Sequence, residues 1–318
     1  EGTLATLLDV TFNLYKRPTK TGLVLLQFED LVASMAATPT ILETDPSAVE
    51  LMGRLLINLT RSQPGFARQI SMIQGDPAAV LVVEYYGETE DELTLKAERL
   101  KQHLIDRGVK TMVDPLTVLD VQQQADVWSV RKAGLGLLMS IRGDHKPIAV
   151  IEDVSVPVEH LAEYVGAIED LVAAHNTEAA YYAHASAGCL HIRPLVNLKT
   201  REGVVSMVEM ADAAADLAHR FGGHLSGEHG DGLQRSVLNE RIFGPELYQA
   251  MREFKRIWDP RLLMNPGKKV DAPPMTENLR YGPNYHARRP KTYLSFGVEG
   301  GFDQAVEMCN GAGVCRKL

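Results

Sequence analysis

Residues 78–107 contain a strand pattern followed by a helix pattern and read AAVLVVEYYGETEDELTLKAERLKQHLIDR. Ala78 to Tyr86 is rich in β-branched and aromatic residues, a composition that favours a β-strand. Thr89 to Arg107 repeats its apolar residues at helical spacing, which predicts a long amphipathic helix. We therefore expect a strand–helix unit here, followed by a second strand at Lys110 to Val113.

Similar patterns continue on both sides of this stretch. Further strands or extended segments are predicted at Leu23–Phe28, Pro39–Glu43, Ile148–Val156, Ala179–His184 and Leu190–Pro194. Further helices are predicted at Glu29–Ala37, Pro46–Asn58, Val121–Ser140, Pro157–His175, Glu202–Phe221 and Pro245–Trp258. Strands that alternate apolar and polar residues favour an antiparallel or mixed sheet. The predicted fold class is therefore α+β, with helices covering one face of the sheet.

The composition limits the class of protein. The chain has 318 residues, 45% of them hydrophobic, which is enough for one large domain or two smaller ones. Its net charge of −8 comes without a basic block, so no nucleic-acid partner is expected. No stretch of about 18 apolar residues occurs, which argues against a membrane-spanning helix. Three cysteines are too few for a disulfide framework and fit a reducing, cytoplasmic compartment.

Five glycines surround two titratable side chains in residues 222–232, which read Gly-Gly-His-Leu-Ser-Gly-Glu-His-Gly-Asp-Gly. Glycine has no Cβ and lets the backbone approach a ligand closely, so this composition indicates a site. Adjacent side chains point in different directions, so Glu228 could bind a metal while His229 exchanges a proton with a substrate. The alternative is that His229 is an exposed loop histidine.

Two further histidines bracket a glycine in the segment from His184 to His191. On one straight strand, residues seven apart face opposite sides, so these two meet only if residues 185–188 form a turn. With Glu228 they would form a two-histidine, one-carboxylate set that suits zinc, iron or manganese. The alternative is one hydrogen-bonded core histidine and one surface histidine.

An arginine and a pair of cysteines are also candidates. Arg131, on a predicted helix, could hold a substrate carboxylate in a bidentate fork or lie on a solvated helix face. The spacing of Cys309 and Cys315 suggests iron–sulfur ligation, but two thiolates do not complete a four-thiolate site. The chain lacks a Rossmann glycine motif, a P-loop and Gly-x-Ser-x-Gly. A self-contained nucleotide-binding module and a serine hydrolase are therefore not expected.

Several short segments occur in the order in which one protein family has them. They are Glu1-Gly-Thr-Leu4, Trp128-x-x-Arg131, Glu152-Asp-Val-Ser-Val-Pro157, His184-x6-His191, Gly227-Glu-His-Gly230 and Asp259-Pro-Arg-Leu-Leu-Met-Asn-Pro-Gly-Lys268. Together they resemble the C-terminal part of the FAD-linked oxidases of the vanillyl-alcohol oxidase superfamily, of the glycolate oxidase and D-lactate dehydrogenase type. The tail, Cys309 to Arg316, resembles the opening of the iron–sulfur portion of large bacterial members.

The resemblance implies that the chain is a piece of a longer flavoprotein. Residues 1–20 would end an FAD-binding domain, residues 21–268 would form a ferredoxin-like cap domain that binds substrate, and residues 269–318 would be a linker and the start of an iron–sulfur domain. The isolated piece is then expected to be inactive, because most of the FAD site would lie on the preceding domain.

The resemblance also implies roles for individual residues. His184, His191 and Glu228 match a divalent-metal site of 2-hydroxy acid dehydrogenases, and zinc is the metal expected. Arg131 matches the arginine that binds the substrate carboxylate. His229 matches the base that takes the proton from the α-hydroxyl. The implied reaction is oxidation of a small D-2-hydroxy acid, of the D-lactate or D-2-hydroxyglutarate class, with hydride transfer to FAD.

Cofactor contacts and partners follow from the same resemblance. Gly2, Thr3 and Asn265 are expected to contact FAD. Electrons would pass to 4Fe-4S clusters on the following domain and then to an acceptor. A cytoplasmic location is expected, with peripheral association at the cytoplasmic membrane through that acceptor.

One departure from the family pattern lies between the two histidines. Most relatives read Gly-Asp-Gly-Asn there, whereas this chain has Ser186-Ala-Gly-Cys189. The change removes two polar groups near the expected metal and flavin, which bears on substrate identity more than on metal binding. Two other function classes stay open: a docking module for an electron-transfer domain, and a metallohydrolase, for which only Glu228 could activate water.

Overall fold

The computed structural model describes residues 2–309, 311 and 313–316. Within them, eight strands form one sheet: β1 (Lys20–Phe28), β2 (Ala48–Gly53), β3 (Ala79–Gly87), β4 (Leu116–Val118), β5 (Lys146–Pro147), β6 (Ile151–Ser155), β7 (Ala179–His184) and β8 (Cys189–Val196). The order across the sheet is β4-β1-β3-β2-β7-β8-β5, and β6 also pairs with β8. Every pairing is antiparallel, which confirms the predicted antiparallel α+β architecture.

Ten helices connect and cover the strands within the described residues: α1 (Leu31–Leu42), α2 (Arg54–Ser62), α3 (Pro64–Ala67), α4 (Glu90–Asp106), α5 (Val121–Met139), α6 (Leu161–Ala174), α7 (Arg201–Arg220), α8 (Gly232–Arg235), α9 (Asn239–Trp258) and α10 (Phe302–Glu307). Side-chain caps mark several helix starts, as at Thr89, whose hydroxyl accepts a hydrogen bond from the Glu92 amide at 3.2 Å. The predicted long helices at 89–107, 121–140 and 202–221 are confirmed to within about a residue.

Helices pack against both faces of the sheet, whereas the sequence pattern predicted helices on one face. The larger core cluster joins α1, α4, α6 and α7 to one face. A second cluster joins α2 and α5 to the other face, through strand residues such as Leu23 and Leu25. Residues 23–28 are all buried, because their apolar side chains alternate between the two clusters, and the polar Gln27 is buried among them.

Three local predictions were wrong. Residues 39–43, predicted as extended, lie mostly in α1, which continues through Pro39 and buries Ile41. The predicted helix at 46–58 is instead β2 followed by α2, because β3 and β7 pair with residues 48–53 on either side. The predicted strand at 110–113 lies later in the chain, at β4. In each case, pairing or core packing overrides the local pattern.

A tight turn between β7 and β8 confirms the predicted bend between the two histidines. Ala185–Ala187 form a 3₁₀ turn, and Gly188 then adopts a left-handed conformation with φ of 68°. A Cβ on Gly188 would lie 2.0 Å from the Val156 carbonyl oxygen, so only glycine fits this turn. The hairpin pairs Tyr182 with His191 and thereby places His191 on the same face as His184.

The C-terminal segment packs against the sheet domain through Lys199. Its ammonium group lies 2.7 Å from carboxylate oxygens of Asp144 and Glu307, and 5.4 Å from the ring centres of Tyr281 and Tyr285. Residues 271–290 have no regular helix or strand, as predicted for a linker. The described helices include none that is both long and apolar enough to cross a membrane. The predicted domain boundaries stay predictions.

Candidate metal and substrate site

Three histidines converge on one carboxylate oxygen in the half of the sheet formed by β2, β7 and β8. Glu228 Oε1 lies 3.4 Å from His184 Nε2, 3.3 Å from His191 Nε2 and 3.2 Å from His229 Nε2. The His184 and His191 rings meet edge to face, and the His191 and His229 rings stack with centres 5.4 Å apart. The structure therefore brings together the four residues that the sequence singled out.

The spacing of these donor atoms fits a small divalent cation. Ligand atoms bound to tetrahedral zinc at about 2.0–2.1 Å lie about 3.3 Å from one another. Glu228 Oε1 lies 3.4 Å from His184 Nε2 and 3.3 Å from His191 Nε2, which matches this distance between ligand atoms. The three donor atoms lie within 4.8 Å of one another, and two imidazoles with one carboxylate leave coordination positions for a substrate.

Each of the two candidate ligand histidines has a carboxylate behind it. His184 Nδ1 lies 2.7 Å from Glu50 Oε1, and His191 Nδ1 lies 3.2 Å from Glu152 Oε1. An ionised carboxylate can only accept, so His184 Nδ1 donates its hydrogen to Glu50 and His184 Nε2 keeps a lone pair for a metal. The contact between His191 Nδ1 and Glu152 does not meet hydrogen-bond geometry. A carboxylate behind a histidine is the usual arrangement at protein metal sites.

Each of these carboxylates is in turn paired with an arginine. Arg131 Nη2 lies 2.9 Å from Glu50 Oε2, and Arg193 Nε lies 2.8 Å from Glu152 Oε2. Burial raises the pKa of Glu152, but the contacts with His191 and Arg193 outweigh burial and lower that pKa to about 2. Glu152 therefore stays ionised throughout the physiological range.

Tyr182 lies between the two arginine–carboxylate pairs. Its ring stacks on His191 at 4.7 Å, and the Arg131 guanidinium lies over the same ring at 5.1 Å. The Tyr182 hydroxyl donates to Glu152 at 3.2 Å and accepts from Arg193 at 3.1 Å. Burial is the main cause that raises the Tyr182 pKa to about 12, so this hydroxyl remains a donor.

Asp153 holds the glycine-rich loop in place. It lies at a bulge in β6 with φ of 66°, and its side chain is fully buried. Its two carboxylate oxygens accept the backbone amides of Glu228 at 2.8 Å and His229 at 2.9 Å. A third bond comes from the Ser226 hydroxyl at 3.2 Å. Asp153 lies in the motif at 152–157, but its sequence pattern gave no indication of this role.

His184, His191, Glu228 and His229 together are called the donor cluster below. An open cavity of about 740 Å³ lies beside it. Arg131 lines it, together with Lys132 and Lys268, and within the described part of the chain neither lysine has an ion pair. Arg131 therefore lines the cavity, but its charge is already paired with Glu50. The surplus positive charge of the cavity comes from the two lysines, which favours an anionic ligand.

The residues expected to contact FAD lie on the other side of Glu228. Gly2 and Thr3 line a second cavity of about 410 Å³, which shares Glu228, Gly230 and Asp231 with the first. A Cβ on Gly2 would lie 3.7 Å from the side-chain amide nitrogen of Asn265, so Gly2 and Asn265 are neighbours. Contact with FAD stays a prediction for Gly2, Thr3 and Asn265.

The residues that depart from the family pattern have structural contacts here. The Ser186 hydroxyl accepts the Val49 amide of β2 at 3.1 Å. The Cys189 thiol lies 3.6 Å from Asp153 Oδ1, and burial raises its pKa to about 12. Neither side chain belongs to the donor cluster. Cys309 and Cys315 are exposed free thiols, and iron–sulfur ligation by them stays a prediction.

Comparison with known proteins assigns the family. Residues 17–269 match the family model of FAD linked oxidases, C-terminal domain. The chain belongs to this family. The match confirms the resemblance that the ordered motifs indicated.

Relatives in the family are much longer than this chain. The D-2-hydroxyglutarate dehydrogenases of Haemophilus influenzae and Escherichia coli are each 28% identical to it, over 99% of this chain and 31% of those proteins. A D-lactate dehydrogenase of Anaerostipes hadrus is 27% identical over 84% of this chain and 56% of that protein. The chain thus spans about a third of the length of the first two relatives.

Solved structures of FAD-linked oxidases show the same fold. p-Cresol methylhydroxylase with substrate bound has a TM-score of 0.57 at 13% identity, covering 80% of this chain and 54% of that one. The 4-ethylphenol oxidase of Gulosibacter chungangensis has a TM-score of 0.55 at 14% identity, covering 80% and 55%. At such low identity the likeness concerns the fold alone.

Proposed function

We propose that this chain is the metal-bearing, substrate-binding part of an FAD-dependent D-2-hydroxy acid dehydrogenase. The observation that carries the proposal is the convergence of His184, His191 and Glu228 at the spacing of a tetrahedral metal site. Support comes from the FAD-linked oxidase family and from relatives named as D-2-hydroxyglutarate and D-lactate dehydrogenases.

His184, His191 and Glu228 would hold the divalent metal, and zinc is the metal we propose. Bound metal would lower the pKa of the substrate hydroxyl, and bound FAD would accept the hydride from the α-carbon. The second cavity, lined by Gly2 and Thr3, is the place we propose for the reactive part of FAD, because it shares Glu228 with the first cavity.

His229 is the proposed base. Its side chain is 48% exposed, and it lines the substrate cavity beside Glu228. A substrate hydroxyl held at the donor cluster would give its proton to His229 Nε2. The hydrogen bond from the His229 backbone amide to Asp153 would keep His229 in position. Loss of that proton and of a hydride converts the 2-hydroxy acid to a 2-oxo acid.

The cavity charges favour a substrate with at least one carboxylate. Arg131 would orient a carboxylate at one end, while Lys132 and Lys268 add charge that a dicarboxylate could neutralise. These charges support D-2-hydroxyglutarate rather than D-lactate as the proposed substrate. Electron transfer to 4Fe-4S clusters, a cytoplasmic location and contact with a membrane acceptor stay predictions.

Metal analysis of the purified chain tests this proposal. After zinc loading and dialysis, we expect one zinc per chain, and no retained zinc in His184→Ala or Glu228→Gln. The exposed His219→Ala on α7 is the control and should retain zinc. D-2-hydroxyglutarate should raise the melting temperature of the loaded chain only, because a ligand that binds the folded state stabilises it. A metal-free chain that does not respond to hydroxy acids would favour a docking module instead.

A further inference from the structure

We propose that Glu50 is a positioning residue that fixes His184 for metal binding and ties it to Arg131. The inference rests on the metal site proposed above. Glu50 is not a candidate ligand, because its two oxygens are taken by His184 Nδ1 and by the Arg131 guanidinium. It touches neither the reacting atoms nor the Nε2 of His184, so any effect on the metal passes through its two partners.

The sheet itself sets the position of Glu50. Glu50 and His184 are directly opposite in the β2–β7 pairing, where Cβ atoms lie about 4.5–5.5 Å apart. The flanking residues Val49 and Leu51 point into the core and are buried, so β2 cannot shift without losing that packing. The Glu50 side chain is only 12% exposed, which excludes most competing water.

The hydrogen bond selects one form of the His184 ring. Glu50 Oε1 accepts from His184 Nδ1 at 2.7 Å, so the neutral ring carries its hydrogen on Nδ1. The lone pair on Nε2 then points toward Glu228 Oε1, 3.4 Å away. Without Glu50, the ring could rotate or carry its hydrogen on Nε2, and neither form binds a metal at this position.

The charge of Glu50 matters separately from its hydrogen bond. Its other oxygen lies 2.9 Å from Arg131 Nη2 and 3.1 Å from Arg131 Nε. The Arg131 side chain is 13% exposed, so an unpaired guanidinium here would repel a nearby metal cation. Glu50 therefore does two things for the metal: it orients His184, and it neutralises Arg131.

Cobalt(II) titration of the chain tests this, read from the visible absorption bands of the bound metal. Loss of an outer carboxylate behind a ligand histidine costs about 10–100-fold in metal affinity. We expect a loss in this range for Glu50→Ala and a smaller loss for Glu50→Gln, whose amide oxygen still accepts from Nδ1. Adding Arg131→Met to Glu50→Gln should recover several-fold in affinity, because the unpaired positive charge is removed.

The control is Glu84→Gln on β3. Glu84 is opposite Ala48, so it lies on the same face as Glu50 but bonds to Ser47 outside the donor cluster. This variant should bind cobalt as the wild type does, and melting temperatures check that every variant is folded. A wild-type chain that binds no cobalt would overturn the metal site and this inference together. Wild-type binding with unchanged affinity in both Glu50 variants would overturn the role of Glu50 alone.

Discussion

At the scale of single residues, the site combines fixed and accessible groups. His191 is 4% exposed and locked between Glu152 and Tyr182, whereas Glu228 and His229 are 43% and 48% exposed at the cavity wall. A histidine fixed in this way is suited to holding a metal in one geometry. The accessible pair is suited to reaching a substrate and exchanging its proton.

Asp153 is the residue on which the accessible pair depends. Asp153→Asn keeps the shape and tolerates the positive φ, but its single amide oxygen can accept only one of the two loop amides. We expect the free energy of unfolding to fall by about 1–3 kcal/mol, the cost of a buried unpaired donor. Urea denaturation measures this change in the free energy of unfolding.

Asp45→Asn provides the matched control for this prediction. Asp45 also has a positive φ, 58°, but is exposed and bonds to no loop amide, so the same substitution should leave stability within about 0.5 kcal/mol of wild type. Equal stabilities for the Asp153 and Asp45 variants would show that the loop does not need the Asp153 carboxylate.

At the scale of elements, the β7–β8 hairpin decides whether the two candidate ligand histidines meet. A glycine between two histidines could be recognised in the sequence as a turn, because the left-handed conformation at Gly188 is one that glycine adopts readily. The structure adds that the turn brings Tyr182 opposite His191 and so aligns both histidines on one face. The metal-site hypothesis thus depends on a feature that local sequence does reveal.

Gly188→Ala should damage both the fold and the site. The left-handed conformation costs about 1–2 kcal/mol for a residue with a Cβ, and the clash with Val156 adds to it. We expect a lower melting temperature and weaker metal binding in the same variant. Gly136→Ala in α5 is the control: a Cβ there meets nothing within 4 Å, so it should stabilise the chain by up to about 1 kcal/mol. Two variants with the same melting temperature would contradict this account of the turn.

Glu50 shows why other parts of the site could not be predicted. Residues 46–58 have apolar residues at spacings compatible with a helix, and a helix would have sent Glu50 away from the histidines. Pairing with β3 and β7, strands distant in the sequence, makes residues 48–53 a strand and places Glu50 opposite His184. Such long-range pairing leaves no mark in a short window of sequence.

At the scale of the whole molecule, Glu228 lies on the wall between two cavities. The first contains the histidines and the lysines, and the second is lined by Gly2 and Thr3. Buried Lys255 anchors that N-terminal segment by donating to the Thr3 carbonyl oxygen at 2.7 Å, and it also pairs with Asp259. A ligand in each cavity would therefore meet at Glu228, as the proposed hydride transfer from a hydroxy acid to FAD would require.

Anaerobic flavin reduction is the measurement that tests this account most directly. In a flavin-loaded polypeptide that contains this chain, D-2-hydroxyglutarate should bleach the flavin absorbance within one turnover. His229→Gln should slow the bleaching by about 10²–10⁴-fold, the usual contribution of a positioned base, and metal chelation should also slow it. Bleaching at the wild-type rate in both the chelated protein and the His229 variant, or no bleaching by any 2-hydroxy acid, would contradict the proposed function.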